Sequence, residues 1–329
     1  MIRALKTLAI IYLVLLVLVA GLMRSSLNDH WFLTFVLFAP RWVAFLPLVI
    51  LFPWTWLYHK RLALGYLVHA AIIVFFLLDY QLPLNKPKSV AAEWTLNVLS
   101  CNVGGGELDM DGIVQLIEER QIDVLLLQEC NHSKAEPLFE KLNWNRQQAP
   151  HIVIASPLEL GELDVLAWQP ADDHKVAAAI GCQLSWPEKE SCYLASIHLP
   201  TFRPALERLQ NFDTELGPDS ISEQGDIYRS VVEELANQIN EINVPILIGG
   251  DFNVPCESVF FTDYWDGFQN SFNLAGTGFG YTKYTRFHGI RIDHVLADQR
   301  WTILDCEIGP DLGGDHRPVI VQLARDLAL

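Results

Sequence analysis

The chain has 329 residues, 51% of them hydrophobic, with 23 Lys and Arg against 39 Asp and Glu and a formal net charge of −16. The charges are unevenly spread: residues 1–90 hold 8 Lys and Arg against 2 Asp and Glu, and residues 91–329 hold 15 against 37. So acidic a C-terminal part repels polyanions and argues against nonspecific nucleic-acid binding, but a bound metal ion reverses the sign locally and leaves a phosphate substrate open.

Three apolar runs come first, at residues 7–23, 43–58 and 62–78. Arg3 and Lys6 precede the first, and Trp54, Trp56 and Tyr58 close the second as an aromatic belt would. A span needs about 20 mostly apolar residues. Residues 1–83 are therefore expected to form a transmembrane segment of about three helices, in a plasma or inner membrane. A cleaved signal peptide is the alternative for the first run alone. With Arg3, Lys6, Lys60 and Arg61 on the cytoplasmic side, the C-terminal part lies outside the cytoplasm; Arg24, Arg41, Lys86 and Lys88 fall on the opposite side of that scheme. His69 shows no evident partner, and Asp79 sits at the end of its run. Residues 84–93 read as a linker.

Residues 94–329 have the mix of a soluble domain. Residues 94–101 alternate as a strand does and run into Gly104–Gly106; 111–120 has helical spacing; 122–128 is an apolar run of strand length, as for a strand buried on both faces. Further strands are expected at 152–155, 176–186, 191–199, 244–248, 290–297 and 318–323, with a hairpin between 176–186 and 191–199. Residues 226–242 place Val231, Val232, Leu235, Ile239 and Ile242 on one side of a helix. Strands and helices mix, so a mixed-sheet α/β sandwich is the expected class. The six cysteines include no C-x-x-C pair, which leaves no zinc or redox motif; they read as small buried hydrophobes, with one or two disulfides the alternative.

The chemistry lies where polar residues interrupt those strands. Asn102, Glu129, His198, Asp251 with Asn253, Asp293, and Asp315 with His316 each fall at or near a strand end. Singly, each has a structural explanation: a cap on the glycine turn, a helix cap, an Asx turn, a loop pair. Together they put four carboxylates at strand ends in the core, which is costly unless they share a cationic partner. Oxygen ligands favour a hard ion, Mg²⁺ or Mn²⁺.

Six stretches in order, Ser100-Cys-Asn102-Val, Leu127-Gln-Glu129, Ser196-Ile-His198-Leu, Gly249-Gly-Asp251-Phe-Asn253, Arg291-Ile-Asp293-His-Val and Gly314-Asp315-His316-Arg-Pro-Val319, resemble the endonuclease/exonuclease/phosphatase superfamily, the deoxyribonuclease-I-like fold. The resemblance covers residues 95–323. It implies a four-layer α/β sandwich, two mixed β-sheets flanked by helices, here preceded by the transmembrane helices. It also implies a metal-dependent hydrolase of phosphodiester or phosphomonoester bonds. Glu129 then resembles the principal metal ligand, with Asn102 beside it and Asp315 near the metal. Asp251 and Asn253 resemble the pair that positions water and the scissile phosphate. His316 resembles the catalytic histidine oriented by Asp293, and His198 the second histidine that meets the phosphate or protonates the leaving oxygen.

In the aromatic, glycine-rich stretch 268–288, Thr282, Lys283 and Arg286 are candidate phosphate contacts, with Arg203 and Arg229 weaker ones. The expected partners are a phosphate-ester substrate, whether nucleic acid, lipid or small ester, and the lipid bilayer. The competing reading is an inactive, membrane-tethered binding or sensing protein of the same fold. Because relatives of that kind lack the metal-binding glutamate or the last histidine, the presence of Glu129 and His316 favours the enzyme. Oligomeric state leaves no signal in the sequence.

Overall fold

Apolar runs of strand length become central strands when they are covered on both faces, and two such groups organise this chain. The computed structural model describes residues 2–84, 94–106, 109–130, 132–171, 174–186, 191–211 and 216–325. The first sheet runs Thr302–Ile308, Val319–Arg325, Trp94–Asn102, Val124–Cys130, His151–Ser156, Asn145–Ala149. The second runs Gln269–Asn270, Asp293–Ala297, Ile246–Asp251, Cys192–His198, His174–Ser185, Glu159–Leu160, with Asp164–Ala171 also paired to His174–Ser185. Each sheet has one parallel pair at its centre: Trp94–Asn102 beside Val124–Cys130, and Cys192–His198 beside Ile246–Asp251. The other pairings are antiparallel, so both sheets are mixed.

A parallel pair needs a crossover, and helices supply it. Met110–Glu119 joins the first pair; Arg203–Gln210 and Leu216–Asn240 join the second. Their apolar sides cover the outer sheet faces. Ile113, Leu116 and Ile117 lie on Leu99, Leu125 and Leu127, while Tyr228, Val231, Val232, Leu235 and Ile239 cluster with Ile197 and Ile248. Between the sheets Val98, Leu126, Ile154, Ile180, Leu194, Leu247, Val295 and Val321 form the inner layer. Fully burying one such side chain is worth about 1.5–3 kcal/mol, so the three apolar layers hold the sandwich together. The architecture is the expected four-layer sandwich, two mixed sheets flanked by helices. All six cysteines are free, five of them buried.

Ahead of the sandwich, Ile2–Leu22, Arg41–Tyr58 and Lys60–Leu77 are helices long and apolar enough to cross a membrane. His69 does have partners, contrary to expectation: its Nε2 lies 3.0 Å from the Ala9 carbonyl oxygen, and its ring stacks on Tyr12. Between the first two of these helices come a 3₁₀ turn, Ser26–Asp29, and a short helix, Trp31–Phe38. The expected linker lies outside the described residues apart from Leu84.

Candidate active site

The topology explains why the polar residues converge. Both parallel pairs end at the same edge of the sandwich, and their C-terminal ends carry Asn102, Glu129, His198 and Asp251. The antiparallel neighbours reach that edge at their N-terminal ends, which brings Asp293 opposite Asp251 and places Asp315 and His316 just before Val319–Arg325. Crevices at the carboxyl ends of parallel strands are where open α/β sheets hold ligands.

Local backbone aims the side chains. Glu129 has a φ of 51° and sits at a bulge between Gln128 and Cys130, a device that turns a side chain out of its sheet. Asn253, at φ 55°, follows Asp251, whose Oδ1 accepts its N–H at 2.8 Å. The turn after Asn102 favours glycine, with Gly105 at a φ of 79°. A Cβ on Gly104 would stand 1.9 Å from Glu129 Oε2, and one on Gly105 would stand 2.5 Å from Asp315 Oδ1. Consecutive glycines therefore leave room for two carboxylates along one side of the cleft.

Asp251 is the hub. Its Oδ2 accepts from Asn102 Nδ2 at 3.0 Å and lies 3.8 Å from His316 Nε2 and 4.0 Å from His198 Nε2. Asn102 Nδ2 also donates to Glu129 Oε1 at 3.0 Å, and His198 Nε2 is 3.6 Å from that oxygen. His316 Nδ1 meets Asp293 Oδ2 at 2.8 Å; Nε2 faces Lys283 Nζ at 2.8 Å and Asp315 Oδ1 at 3.8 Å. Lys283 also donates to Asp315 at 2.7 Å. Below the site, Gln128 Nε2 donates to Ser196 Oγ at 3.0 Å and ties the sheets together under Glu129 and His198.

Burial and charge set the protonation states. Burial, then the nearby Asp293, pushes Asp251 above the usual carboxylate range against the pull of both histidines. Burial would also raise Asp293, but the charge and hydrogen bond of His316 hold it below. Burial would lower His316, but Asp293 and Asp251 lift it to about 9 against the opposing charge of Lys283 at its Nε2.

The donor set fits a divalent cation. Glu129, Asp251, Asp293 and Asp315 bring more carboxylates to the cleft than Lys283 and His316 can offset. Asp293 Oδ1 is buried and has no hydrogen-bond partner among the described residues. Asp251, Asp293 and His316 offer ligand atoms within 4.8 Å of one another. Because Asp293 and His316 already bond each other, the more open Glu129 and Asp315 are the freer ligands. Asn102 turns its amide nitrogen to the carboxylates and its oxygen to Gly104 N–H. Rotated by half a turn, the same amide would offer its oxygen to a cation.

Lys283 is the charged candidate phosphate contact that bonds members of this cluster. The Thr282 hydroxyl is buried and accepts from the Ile292 and Asp293 N–H groups, so it positions Asp293. Arg203 is at the rim, paired with Glu207, and feels the charges of Asp315 and Glu129. Arg229 is elsewhere, between Asp29 and Asp226 and over the Phe260 ring; Arg286 is exposed beside Phe287. Sequence reasoning missed the contribution of Asp79, whose carboxylate pairs with Arg291, two residues before Asp293. The charge left at the end of an apolar run was the available signal.

Solved structures similar to this one share its fold. A 3′ phosphatase from Neisseria, bound to product DNA hairpin, aligns with a TM-score of 0.52 and 15% identity over 70% of this chain and 99% of that one. An AP endonuclease from Archaeoglobus fulgidus aligns at 0.51 and 14% over 70% and 100%, and an endonuclease/exonuclease/phosphatase from Beutenbergia cavernae at 0.51 and 16% over 70% and 72%. No curated protein matches the sequence. The model of the Endonuclease/Exonuclease/phosphatase family matches residues 95–316, from the start of the first central strand to His316, and the chain belongs to that family.

Proposed function

We propose that this protein is a membrane-anchored, divalent-metal-dependent phosphoesterase that hydrolyses a phosphodiester or phosphomonoester. The observation that carries the reading is the convergence of Asn102, Glu129, His198, Asp251, Asp293 and His316 through contacts of 4.0 Å or less at one edge of the sandwich. The anchor rests on the outward side chains of the three long helices: Ile10, Val14, Val49, Ile50, Leu57, Leu67 and Val68 are all more than half exposed, and water is a poor solvent for such a belt.

Glu129 and Asp315, with Asn102 beside them, would hold the cation, Mg²⁺ or Mn²⁺. When bound, it would supply charge neutralisation at the phosphate. Asp251 accepts the proton of the attacking water. Asn253, whose Nδ2 is anchored on the Leu199 carbonyl at 2.8 Å and whose N–H donates to Asp251, keeps the Asp251 loop in place. His316, oriented by Asp293, stabilises the charge that develops on the phosphoryl oxygens. His198 protonates the leaving oxygen. Aligned water and neutralised oxygens are what phosphoryl transfer needs.

The test uses the full chain in detergent, supplied with bis(p-nitrophenyl) phosphate and p-nitrophenyl phosphate in Mg²⁺, Mn²⁺ or EDTA. Turnover that EDTA abolishes and Mg²⁺ or Mn²⁺ restores is expected. Absence of metal-dependent turnover on these esters, on oligonucleotides and on phospholipids would leave the inactive binding protein as the better reading.

A further inference from the structure

The N-terminal helices do more than precede the sandwich; they hold the rim of the candidate site. Three rim segments are involved: the turn after His198 and the loop after Asn253, both from the second sheet, and the separate hairpin that carries Lys283. All three touch the short stretch between the first two long helices, or the start of the second. Phe38 packs against Phe202 with tilted rings, centroids 5.9 Å apart, and its carbonyl oxygen accepts from His288 Nε2 at 2.9 Å, so one residue touches two rim segments. Asn28 Nδ2 donates to the Glu257 carbonyl at 2.9 Å, its Oδ1 accepts from Val259 N–H at 2.7 Å, and Arg41 pairs with the Glu257 carboxylate. Trp42 Nε1 donates to the Phe287 carbonyl at 3.0 Å. From Phe287 the hairpin, in which Lys283–Tyr284 pairs with Gly289–Ile290, leads directly back to Lys283 against Asp315 and His316.

Topology fixes the level of these contacts. If the three long helices alternate across a bilayer, the turn at Lys60 lies on one side. Residues 23–40, the start of the second span and the exit of the third at Leu77 lie on the other, together with the sandwich. The rim is then seated at the headgroup level. Apolar side chains left exposed there fit that placement: Leu27, Phe32 and Trp42 on the helical segment, and Phe287, 69% exposed, at the hairpin tip. Aromatic side chains favour the interface, where one end is apolar and the other wet. An acidic sandwich is also a poor host for a long polyanion arriving from solution.

On this geometry, and resting on the phosphoesterase reading above, we infer that the substrate is a phosphoester presented at the bilayer surface, that is, a phospholipid headgroup. In the reaction the water oxygen bonds to phosphorus, one P–O ester bond breaks, and a proton ends on the leaving oxygen; no other reactant is required.

The test uses the full chain in vesicles of phosphatidylcholine with phosphatidylglycerol, phosphatidylethanolamine or phosphatidic acid, assayed for released headgroup or phosphate in Mg²⁺. Bis(p-nitrophenyl) phosphate and a single-stranded oligonucleotide run in parallel. Turnover of at least one vesicle lipid is expected to exceed that of the oligonucleotide by about tenfold or more, because confinement to one surface raises the effective concentration. Phe287→Asp should lower the ratio of vesicle to chromogenic turnover by a similar factor. Hydrolysis of the chromogenic ester with no lipid hydrolysed, a preference for the oligonucleotide, or a ratio indifferent to Phe287→Asp overturns the inference and leaves the phosphoesterase standing. Silence on every substrate removes both.

Discussion

The two sheets have the same plan, a central parallel pair extended by antiparallel neighbours, yet they furnish the site differently. The second sheet supplies Asp251, Asn253 and Asp293, all buried, two of them at 1% exposure. The first supplies buried Asn102 and His316 but also its two carboxylates in the open, Glu129 and Asp315, with side chains 44% and 34% exposed beside a glycine turn. Buried carboxylates acquire shifted pKa values and fixed directions; open ones stay hydrated and free to take a ligand. The contrast divides the labour: proton handling and orientation in the buried half, cation capture in the open half.

Asp251→Asn strikes the buried half and should have the largest effect. It keeps one of the two acceptor oxygens that serve Asn102 Nδ2 and Asn253 N–H and removes the base, and kcat should fall by about 10²–10⁴-fold, the range of a general base. Stability should hold or rise. A carboxyl raised by burial weakens the folded state at every pH where it ionises, so a neutral amide removes that cost. A parallel loss of activity and unfolding midpoint would contradict the assignment.

Glu129→Gln strikes the open half. Its effect should appear as a metal requirement: the Mg²⁺ concentration for half-maximal activity should rise by at least about tenfold, with partial recovery at high Mg²⁺ and an unchanged unfolding midpoint. A kcat loss that no Mg²⁺ concentration relieves would place Glu129 in the other half of the scheme.

Lys283→Met sharpens the same distinction with the opposite sign. It removes a cation 2.7 Å from Asp315 that competes for the same carboxylate. The two side chains are 21% and 34% exposed, so the interaction is screened, and the Mg²⁺ requirement should fall by only about three- to tenfold. If Lys283 also meets the phosphate, KM rises in the same titration, which separates its two roles.

How far the sequence foretold this arrangement depended on burial. Strands covered on both faces, such as Val124–Cys130 and Ile246–Asp251, announced themselves as apolar runs, and the polar residues ending them pointed to the site. Strands at or near the sheet edges did not. Asn145–Ala149, Asp164–Ala171 and Thr302–Ile308 are half-exposed with mixed composition, so no period stands out, and all three went unread. The stretch Trp31–Phe38 was apolar but too short to be read as a span, and its contacts with Phe202 and His288 join residues more than 160 positions apart. Thr282 and Arg229 show the same limit. Residue type suggested phosphate contacts, while the fold uses one hydroxyl to hold Asp293 and one guanidinium to reach Asp29.

The smallest effect separates structural from chemical histidines within the buried half. His294 adjoins Asp293, yet its Nε2 meets the Val254 carbonyl oxygen at 3.2 Å and its Nδ1 lies 3.3 Å from Asn270 Nδ2. Burial, then Arg291, lowers it to about 3, so it is neutral in the folded protein. The unfolded chain, with an ordinary histidine pKa near 6.5, binds the proton first as pH falls. His294 therefore contributes stability that is complete above about 6.5 and is lost progressively from there toward 3. His316 runs the other way: raised to about 9, it contributes stability that is complete below about 6.5 and lost as pH climbs through 9. Urea unfolding in detergent between about pH 6.5 and 5, above the range where most carboxylates titrate, should show a shallower loss of stability in His294→Gln than in the parent. Parallel slopes would mean that His294 already carries its proton when folded.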